Sequence, residues 1–414
     1  MNDAETSNQN EERIFTKDFF LIFGALLFTA LVMYALMSTV TEYATSMGTS
    51  ATIAGLVSGI YIFGGLCSRI YSANALERRD WKKLAIIFLG IHFLACILYF
   101  FADNVTFLLI VRFIHGLGFG ASANAIVTIA SAILPKRRFG EAFGYFMLGT
   151  TIAVGLGPYI SGFFYDNWGS IGSFSLATTF AALAFISIFL LDIAKYESIH
   201  NDEVESHLEN ESLSIEDDGS LEEKGKVRRI IDKIIDIPAV PVSLFTGLTS
   251  LGYVSILSFY RLYAVETDLV SAFSLFFIIY SVVLVASRPI AGRIQDNYGD
   301  IIICFTGIIA QAIGLFLIAW MPSTITVFIC AVCAALGFGT LNSACTAIVT
   351  RDTNPHRRPY AISTFFIFCD GTMGFGPALL GSFVSAASGY APVYFISSLI
   401  TLIALPIAFF ALKK

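Results

Sequence analysis

The chain has 414 residues, of which 56% are hydrophobic and 14% are charged, and its formal net charge is -6. Soluble domains carry about 25% charged residues, so this composition excludes a water-soluble globular protein, which would lack the polar surface to cover itself. The 39 phenylalanines suit packing against lipid and between helices. We therefore expect an integral membrane protein.

The polar segment 1–18 precedes the first apolar run, so we expect a cytoplasmic tail there, no cleavable signal peptide, and a first helix that directs insertion. Twelve apolar runs of about the length that spans a bilayer follow. Each is predicted to be helical, because unpaired backbone groups in hydrocarbon cost several kcal/mol apiece. The spans are 19–42, 51–71, 84–101, 105–132, 140–164, 173–192, 240–263, 272–290, 301–320, 324–349, 360–384 and 391–411.

A polar loop, 195–238, separates two groups of six spans, 19–194 and 239–414. Within it, residues 201–223 contain ten Asp or Glu and no Lys or Arg. This part buries too little apolar surface to fold alone and is predicted to be disordered. Residues 226–236 place isoleucines on one helical face and basic residues opposite. They form either a short amphipathic helix on the inner membrane surface or a spacer docked on the bundle.

Lysine and arginine alternate strongly between successive loops. Of the 25 basic residues, 23 lie on the side of both termini and the central loop, and only Arg112 and Arg261 do not. Cytoplasmic loops of membrane proteins are enriched in Lys and Arg. We therefore expect a multi-pass protein of the cell membrane with both termini in the cytoplasm. Separately, we expect the protein to be a monomer.

All seven cysteines lie inside apolar runs, so no disulfide framework is expected. Cys330 and Cys333 form a CxxC in the middle of a span, without a histidine or second cysteine pair nearby. We interpret it as helix packing and expect no metal site.

The two groups of spans share sequence motifs at a nearly constant offset. Such self-similarity between equivalent helices indicates a parallel duplication. The matches are Leu117-Gly-Phe-Gly120 with Leu336-Gly-Phe-Gly339, Gly155-Leu-Gly-Pro158 with Gly374-Phe-Gly-Pro377 and Ser68-Arg69 with Ser287-Arg288, all at 219, and Arg137-Arg138 with Arg357-Arg358 at 220.

These motifs resemble those of the major facilitator superfamily, and the resemblance covers residues 19–411. The loop signature is best matched by Gly292-Arg-Ile-Gln-Asp296-Asn-Tyr-Gly299, whereas the first copy departs from it with Ala73, Glu77 and Asp80. The helix-four signature is Arg112-x-x-x-Gly116-x-Gly118-x-Gly120. The resemblance implies an all-α membrane fold of twelve helices in two pseudo-symmetric six-helix bundles that alternate between two accessible states.

Bends and loop charges are the expected gating elements. A Gly-Pro pair bends a helix by removing a hydrogen bond, and a matched bend in both halves suits two bundles that rock against each other. Basic loop residues can pair with acids in one conformation and release them in another. The residues predicted for gating or structure are Gly157, Pro158, Gly376, Pro377, Asp296, Arg69 and Arg288.

Charged residues inside the membrane are costly and are therefore functional candidates. Arg112 lies about seven residues into helix four, ~10 Å deep, and Glu42 lies at a similar depth in helix one. We expect these two to pair, with Arg112 binding substrate, unless Arg112 extends to the membrane surface and Glu42 caps its helix. Asp370 lies near the midplane in helix eleven. We expect it to carry a proton, with Glu42 as second candidate, unless it only hydrogen-bonds a neighbouring helix.

Polar side chains on the lining helices are candidates for substrate contact. For the asparagines and tyrosines among them, a hydrogen bond between helices is the alternative. For His115 the alternative is a packed histidine with satisfied hydrogen bonds, and for Arg261 it is an ion pair with Glu266 or Asp268 at the rim. The candidates are His115, Asn124, Tyr34, Tyr145, Asn342 and Arg261.

Other functional classes lack their signatures in this sequence. The sequence has no convergent nucleophile or metal set that would indicate an enzyme. It has no repeated filter residues that would indicate a channel, and no Walker A pattern that would indicate ATP hydrolysis. We expect no cofactor and no nucleic-acid partner. The resemblance implies proton-coupled efflux of a small organic compound, either drug-like or an anionic metallophore held by Arg112 and Arg261. A lipid-linked glycan flippase and an uptake symporter are the alternatives.

Overall fold

The computed structural model describes residues 13–76, 81–135, 138–193, 236–353, 358–385 and 387–413. The predicted disordered segment 201–223 lies outside these residues, as does nearly all of the predicted amphipathic helix at 226–236.

Long helices make up almost all of the described chain. Short 3₁₀ turns at Tyr99–Phe101 and Ile237–Ala239 accompany them. The helices are α1 Lys17–Ser46, α2 Ala51–Leu76, α3 Trp81–Leu98, α4 Val105–Ile133, α5 and α6 within Phe139–Phe189, α7 Val240–Glu266, α8 Val270–Tyr298, α9 Asp300–Trp320, α10 Thr324–Ala334 and Thr340–Asp352, α11 Arg358–Gly381, and α12 Ala391–Leu412.

The segment Phe139–Phe189 is two antiparallel helices. Its 51 residues would make a straight helix about 75 Å long, but Gly169 has φ 63° and ψ -156°. The hydroxyl oxygens of Ser161 and Ser173 lie 2.8 Å apart, whereas twelve residues of straight helix would separate them by about 18 Å. The chain therefore reverses at Gly169, and we number 139–168 as α5 and 170–189 as α6.

This reversal brings the membrane-spanning helices of the described residues to twelve, because the eleven apolar helices long enough to cross a bilayer count α5 and α6 once. The predicted number and type of spans are confirmed. Two predicted ends are too early: α2 continues to Leu76 and α8 to Tyr298, beyond the predicted 71 and 290. Hydropathy marks only the part of a helix in hydrocarbon, and these two equivalent helices continue past it.

Equivalent caps fix the start of equivalent helices. The side chain of Asn104 accepts a hydrogen bond from the Phe107 amide at 2.9 Å and begins α4. At the same place in the second half, Ser323 and Thr326 form a capping box that begins α10. Side chains that satisfy the free amides of the first turn stabilise a helix start.

Successive helices run in opposite directions, which defines two sides of the molecule. We call the side where α1 begins and α12 ends the tail side, and the other the distal side. The two six-helix halves meet along α2 with α11 and α5 with α8. A buried cluster spans the contact and contains Met37 and Tyr61 from the first half and Tyr253 and Tyr280 from the second.

Glycines bring α2 and α11 together in their distal parts. A methyl group added at Gly55 would overlap the carbonyl oxygen of Pro377, and one at Gly59 would overlap that of Gly374. Farther toward the distal end, a methyl group added at Gly381 would overlap the carbonyl oxygen of Ala51. Backbones this close require small residues, so the distal halves of α2 and α11 are in direct contact.

Helix α10 departs from its counterpart α4 at the repeated Leu-Gly-Phe-Gly motif. In α4 the motif is regular α-helix, whereas in α10 residues Ala335–Gly339 form a π turn, with ψ -105° at Gly337. The Thr340 hydroxyl donates to the Ala335 carbonyl oxygen at 3.1 Å. Turns of this kind are concentrated at functional positions of helices.

Candidate functional site

Among the described residues, one ion pair joins the two halves near the middle of the bundle. Arg69 of α2 donates through Nη1 to Oδ2 of Asp370 of α11 at 3.1 Å. Asp370 lies twelve residues into α11, about 18 Å from its tail end, and its side chain is 17% exposed. The central ion pair, as we call Arg69–Asp370, therefore sits deep between the halves yet remains accessible.

Three aromatic residues of the first half recur in the second at the offset of 219. The Tyr34 hydroxyl lies within electrostatic reach of Arg69 and Asp370. The pairs are Tyr34 with Tyr253, Tyr61 with Tyr280, and Phe119 with Phe338.

Ring contacts show that these residues form two groups. The ring centroids of Tyr61 and Phe119 lie 5.2 Å apart, and the stacked rings of Tyr253 and Phe338 lie 4.3 Å apart. The hydroxyl of Tyr61 is buried and has no hydrogen-bond partner among the described residues. The unpartnered Tyr61 hydroxyl thus lies within the buried aromatic cluster between the two halves.

A second ionic contact closes the distal end between the halves. Arg261 of α7 binds Oε2 of Glu42 in α1 and Oδ1 of Asp166 in α5, each at 2.5 Å. The arginine side chain is 8% exposed, and its guanidinium lies 5.2 Å from the ring centroid of Tyr165. We call Glu42, Asp166 and Arg261 the distal ion cluster.

Further contacts between the halves lie on the tail side of the distal ion cluster. The hydroxyls of Ser58 and Ser258 lie 3.1 Å apart, and the Tyr260 hydroxyl donates to the Pro158 carbonyl oxygen at 3.3 Å. The Ser281 hydroxyl donates to the Thr151 carbonyl oxygen at 3.1 Å. From the distal end to the central ion pair, the two halves are closed against each other.

The residues that match a family model cover nearly the whole chain: the model described as Major Facilitator Superfamily matches 22–267 and 242–414. The chain belongs to the Major Facilitator Superfamily. It is therefore a membrane-embedded transporter of small molecules rather than an enzyme.

The relatives within the superfamily that match this chain have low sequence identity to it. The chain is 23% identical over 380 residues to an uncharacterized MFS-type transporter of Methanocaldococcus jannaschii, covering 90% of this chain and 92% of that one. It is 26% identical over 165 residues, 38% of each chain, to the multi-drug resistance efflux pump PmrA of Streptococcus pneumoniae. The nucleoside transporter NupG superposes with a TM-score of 0.74 at 12% identity, covering 97% of this chain and 100% of that structure.

The predicted pairing of Glu42 with Arg112 is wrong. Glu42 instead binds Arg261, which faces it from the equivalent position of the other half. The predicted rim pairs of Arg261 are also wrong: Glu266 accepts a hydrogen bond from the Tyr390 amide at 2.9 Å. Both errors come from looking for partners within one half, whereas the contact runs across the pseudo-symmetry axis.

Arg112 is fully buried between α2 and α4 and does not extend to the surface. Its Nε donates to the Val57 carbonyl oxygen at 3.0 Å and Nη2 to that of Ser58 at 3.2 Å. The guanidinium lies 4.4 Å from the Tyr61 ring centroid. The first signature residue of helix four therefore ties α4 to α2, and in the described structure its contacts are to uncharged groups.

The remaining substrate-contact candidates separate into distinct places. His115 lies beneath Arg112, with Nδ1 2.8 Å from the Tyr99 hydroxyl. Asn124 donates to the Ser72 hydroxyl at 2.9 Å, a hydrogen bond between helices. Tyr145 is exposed and its ring contacts Phe15 at the tail end. The backbone oxygen of Asn342 accepts from Thr346 at 2.8 Å.

The predicted gating residues are placed in part. Both prolines lie inside their helices, Pro158 in α5 and Pro377 in α11, and Gly157 and Gly376 pack closely against α1 and α7. The side chains of Arg288 and Asp296 lie outside the described part of the structure.

A tail-side network lies at the loop between α8 and α9. Gln295 donates to Asp300 at 2.8 Å, and Arg351 of α10 binds the same carboxylate at 2.5 Å. The hydrogen bonds that Arg351 donates to Asp300 and Asp352 raise the pKa of Arg351 above its ordinary value. The loop signature of the superfamily thus holds the ends of α8, α9 and α10 together.

Sequence reasoning missed three partnerships: Arg69 with Asp370, Arg261 with Glu42, and Arg261 with Asp166. One signal was available, because Glu42 and Arg261 are separated by the same 219 residues as the repeated motifs. The other two pairs depend on how the halves pack and carry no sequence signal.

Proposed function

We propose that this chain exports a small organic compound in exchange for protons, with Asp370 as the proton carrier. The observation that supports this proposal best is the central ion pair, which joins the two halves at mid-depth and uses a partly accessible carboxylate.

The state of Asp370 controls whether the halves can separate. An ionised Asp370 holds Arg69 and with it the distal closure. Pulling the pair apart would leave two uncompensated charges at depth, which is costly. A proton on Asp370 removes its charge and frees Arg69, so that separation of the halves no longer breaks an ion pair. Protonation is in this way coupled to opening of the distal side.

Export is favoured over uptake by the local relationship to PmrA, a multi-drug resistance efflux pump. An uptake symporter is the second candidate, because the nucleoside transporter NupG shares the whole fold. The two differ in the sign of the coupling: an exchanger releases protons when it binds substrate, whereas a symporter takes them up.

Orientation decides which direction counts as export. The excess of basic residues on the tail side supports a cytoplasmic tail side in the cell membrane. We expect Asn210→Cys, in the central loop, to react with a membrane-impermeant thiol reagent only after cells are opened. Labelling of intact cells would reverse the orientation and with it the direction of transport.

The proposal is tested in proteoliposomes that contain a pH-sensitive dye and a preset pH gradient. Compounds are added in turn: organic cations, neutral drugs, nucleosides and iron-chelating acids. We expect at least one to collapse the gradient with wild-type protein and none to do so with Asp370→Asn. Proton movement in the same direction as the substrate would identify a symporter, and unchanged coupling in Asp370→Asn would place the proton carrier elsewhere, with Glu42 as the next candidate.

A further inference from the structure

We infer that His115 is a positioning residue for the closed contact between the halves on the distal side. It fixes the Tyr99 hydroxyl, and Tyr99 fixes Arg112, which holds α2 where that helix meets the second half. All three side chains are fully buried within the first half. Proton exchange at Asp370 uses none of them, so this role is additional to transport at the central ion pair.

Arg112 sets the direction of the hydrogen bonds in this group. Its guanidinium has donors and no acceptor, and Nη1 lies 3.4 Å from the Tyr99 hydroxyl oxygen. The oxygen therefore accepts, and the phenolic hydrogen of Tyr99 must be donated to a different atom. Among the described residues, Nδ1 of His115 lies at hydrogen-bond distance from this hydroxyl, 2.8 Å.

This donation assigns the tautomer of His115. An imidazole that accepts at one nitrogen carries its single hydrogen on the other, so the ring is neutral and protonated on Nε2. Nε2 lies 3.6 Å from Sγ of Cys96, which can accept that hydrogen. A doubly protonated ring would leave the Tyr99 hydrogen without this acceptor, and it would place a second positive charge one turn from Arg112.

Neighbouring rings hold the imidazole in its orientation. The ring centroid of His92 lies 4.4 Å from that of His115, and the Tyr61 ring meets the imidazole edge-on at 4.9 Å. Turning the imidazole over would put ring C–H groups where Nδ1 and Nε2 stand, and both hydrogen bonds would be lost. One tautomer in one orientation therefore satisfies Tyr99 and Cys96 together.

Arg112 transmits this order to α2. It donates to the carbonyl oxygens of Val57 and Ser58, and Nη2 also lies 3.9 Å from Sδ of Met37 in α1. The Ser58 hydroxyl donates to the Met37 carbonyl oxygen at 3.2 Å. Its oxygen is then free to accept from the Ser258 hydroxyl of the second half, 3.1 Å away. The residue that meets the other half is thus held from two helices by the contacts of Arg112.

Loss of the acceptor at residue 115 should therefore reach the contact between the halves. Without it, Tyr99 keeps a buried donor unsatisfied, which is costly. Turning the phenol toward another acceptor withdraws its oxygen from Nη1 of Arg112, and the α2 backbone at Ser58 loses part of its support. The distal closure weakens although no residue in the contact has changed.

The tautomer is measured directly by 15N NMR on the full-length wild-type chain with labelled histidine. The chain has five histidines, and the signals that disappear in His115→Asn belong to residue 115. We expect an unprotonated Nδ1 and a protonated Nε2, identified by their couplings to the ring hydrogens. A hydrogen on Nδ1, or on both nitrogens, would overturn the inference.

The closure is measured by crosslinking Ser58→Cys to Ser258→Cys. Hydroxyls 3.1 Å apart place the two new thiols where a disulfide can form under copper phenanthroline. A protease site inserted in the central loop 195–238 then separates the halves on a gel unless the disulfide joins them. The seven native cysteines are unpaired and stay in place, and the chain without the two new cysteines measures the background.

Two substitutions of His115 separate its two nitrogens. The amide of Asn occupies the place of Nδ1 and can accept from Tyr99, whereas the longer Gln carries its amide to the place of Nε2. We expect His115→Asn to crosslink at the wild-type rate. His115→Gln should crosslink about two- to tenfold more slowly, the range that corresponds to one lost hydrogen bond.

Tyr99→Phe tests the same link from its other end. It keeps the ring that stacks on Phe174 with centroids 5.2 Å apart and removes the hydroxyl. It should slow crosslinking as His115→Gln does, and the two changes together should slow it no further. Tyr43→Phe is the matched control, because Tyr43 also packs on Phe174 at 5.2 Å and donates to the Ala102 carbonyl oxygen at 3.0 Å. It should crosslink as wild type.

The pattern of rescue distinguishes positioning from packing. Equal slowing by Asn and Gln at residue 115 would show that His115 only fills space, and slowing by Asn alone would show that the tautomer is wrong. Equal slowing by Tyr43→Phe and Tyr99→Phe would refute the link through Arg112. These measurements need no substrate and no pH gradient, so they stand or fall independently of the transport proposal.

Discussion

A single methyl group at Gly59 should drive the transporter out of the distal-closed state. In this state a Cβ at Gly59 would overlap the Gly374 carbonyl oxygen across the α2–α11 crossing. The atom in the way belongs to backbone, so no side-chain rotation relieves the overlap. Only separation of the two helices makes room for Gly59→Ala, and separation there is distal opening.

The size of the shift follows from the cost of overpacking, about 1–3 kcal/mol for an added group in a close-packed contact. Since about 1.4 kcal/mol changes an equilibrium tenfold, the distal-closed population should fall relative to the open one by roughly 5- to 150-fold. Gly374→Ala is the matched control: its Cβ would lie 3.4 Å from the Gly59 oxygen and 3.4 Å from the Phe63 amide nitrogen, close to ordinary contact. Both variants gain the same helix propensity, so their difference isolates the overlap.

The assay is a spin-label distance between the distal ends of α4 and α10. Labels at Asp103 and Pro322, which occupy equivalent positions, are introduced in a background without the seven native cysteines. We expect the distance distribution of Gly59→Ala to move to longer values and that of Gly374→Ala to match wild type. An unshifted distribution in Gly59→Ala, or an equal shift in both, would refute the packing argument.

Two further predictions concern Arg112 and Arg261. Arg112→Lys should lower the free energy of unfolding by about 2 kcal/mol, because an ammonium group cannot reach both α2 carbonyl oxygens and hydrogen bonds from charged groups are worth about 1.5–3 kcal/mol each; an unchanged melting temperature in detergent would contradict this. Glu42→Arg and Arg261→Glu should each open the distal side by placing like charges together, and the double exchange should restore closure in part. If the spin-label shift of the double variant equals the sum of the two single shifts, the residues do not interact.

Helix count and duplication were predictable because lipid enforces them. Apolar runs of fixed length mark each span, and the offset of 219 shows the repeat without any structure. The turn at Gly169 was also predictable from two apolar runs separated by polar residues. The ends of α2 and α8 were not, since nothing in their hydropathy distinguishes helix from loop once the chain leaves the hydrocarbon.

The sequence predicted that Asp370 belongs to the candidate site, but it did not predict which residue pairs with it. Asp370 was singled out because a carboxylate in the middle of an apolar run must have a reason to be there. Its partner Arg69 stands 301 residues away, near the end of the predicted span 51–71, and was expected only as a gating or structural residue. Which charges meet is set by the packing of the two halves, and one sequence alone contains no measure of that packing.

The contact between Glu42 and Arg261 also bears on the history of the chain. Two residues that are equivalent by repeat and touch each other lie on the axis that relates the halves. In an ancestor assembled from two identical six-helix subunits, that position held the same residue twice, so any charge there faced its own copy. Opposite charges became possible only after duplication gave two copies that could mutate separately. The Glu42–Arg261 ion pair is therefore younger than the duplication, and it makes the two halves unequal partners in the distal closure.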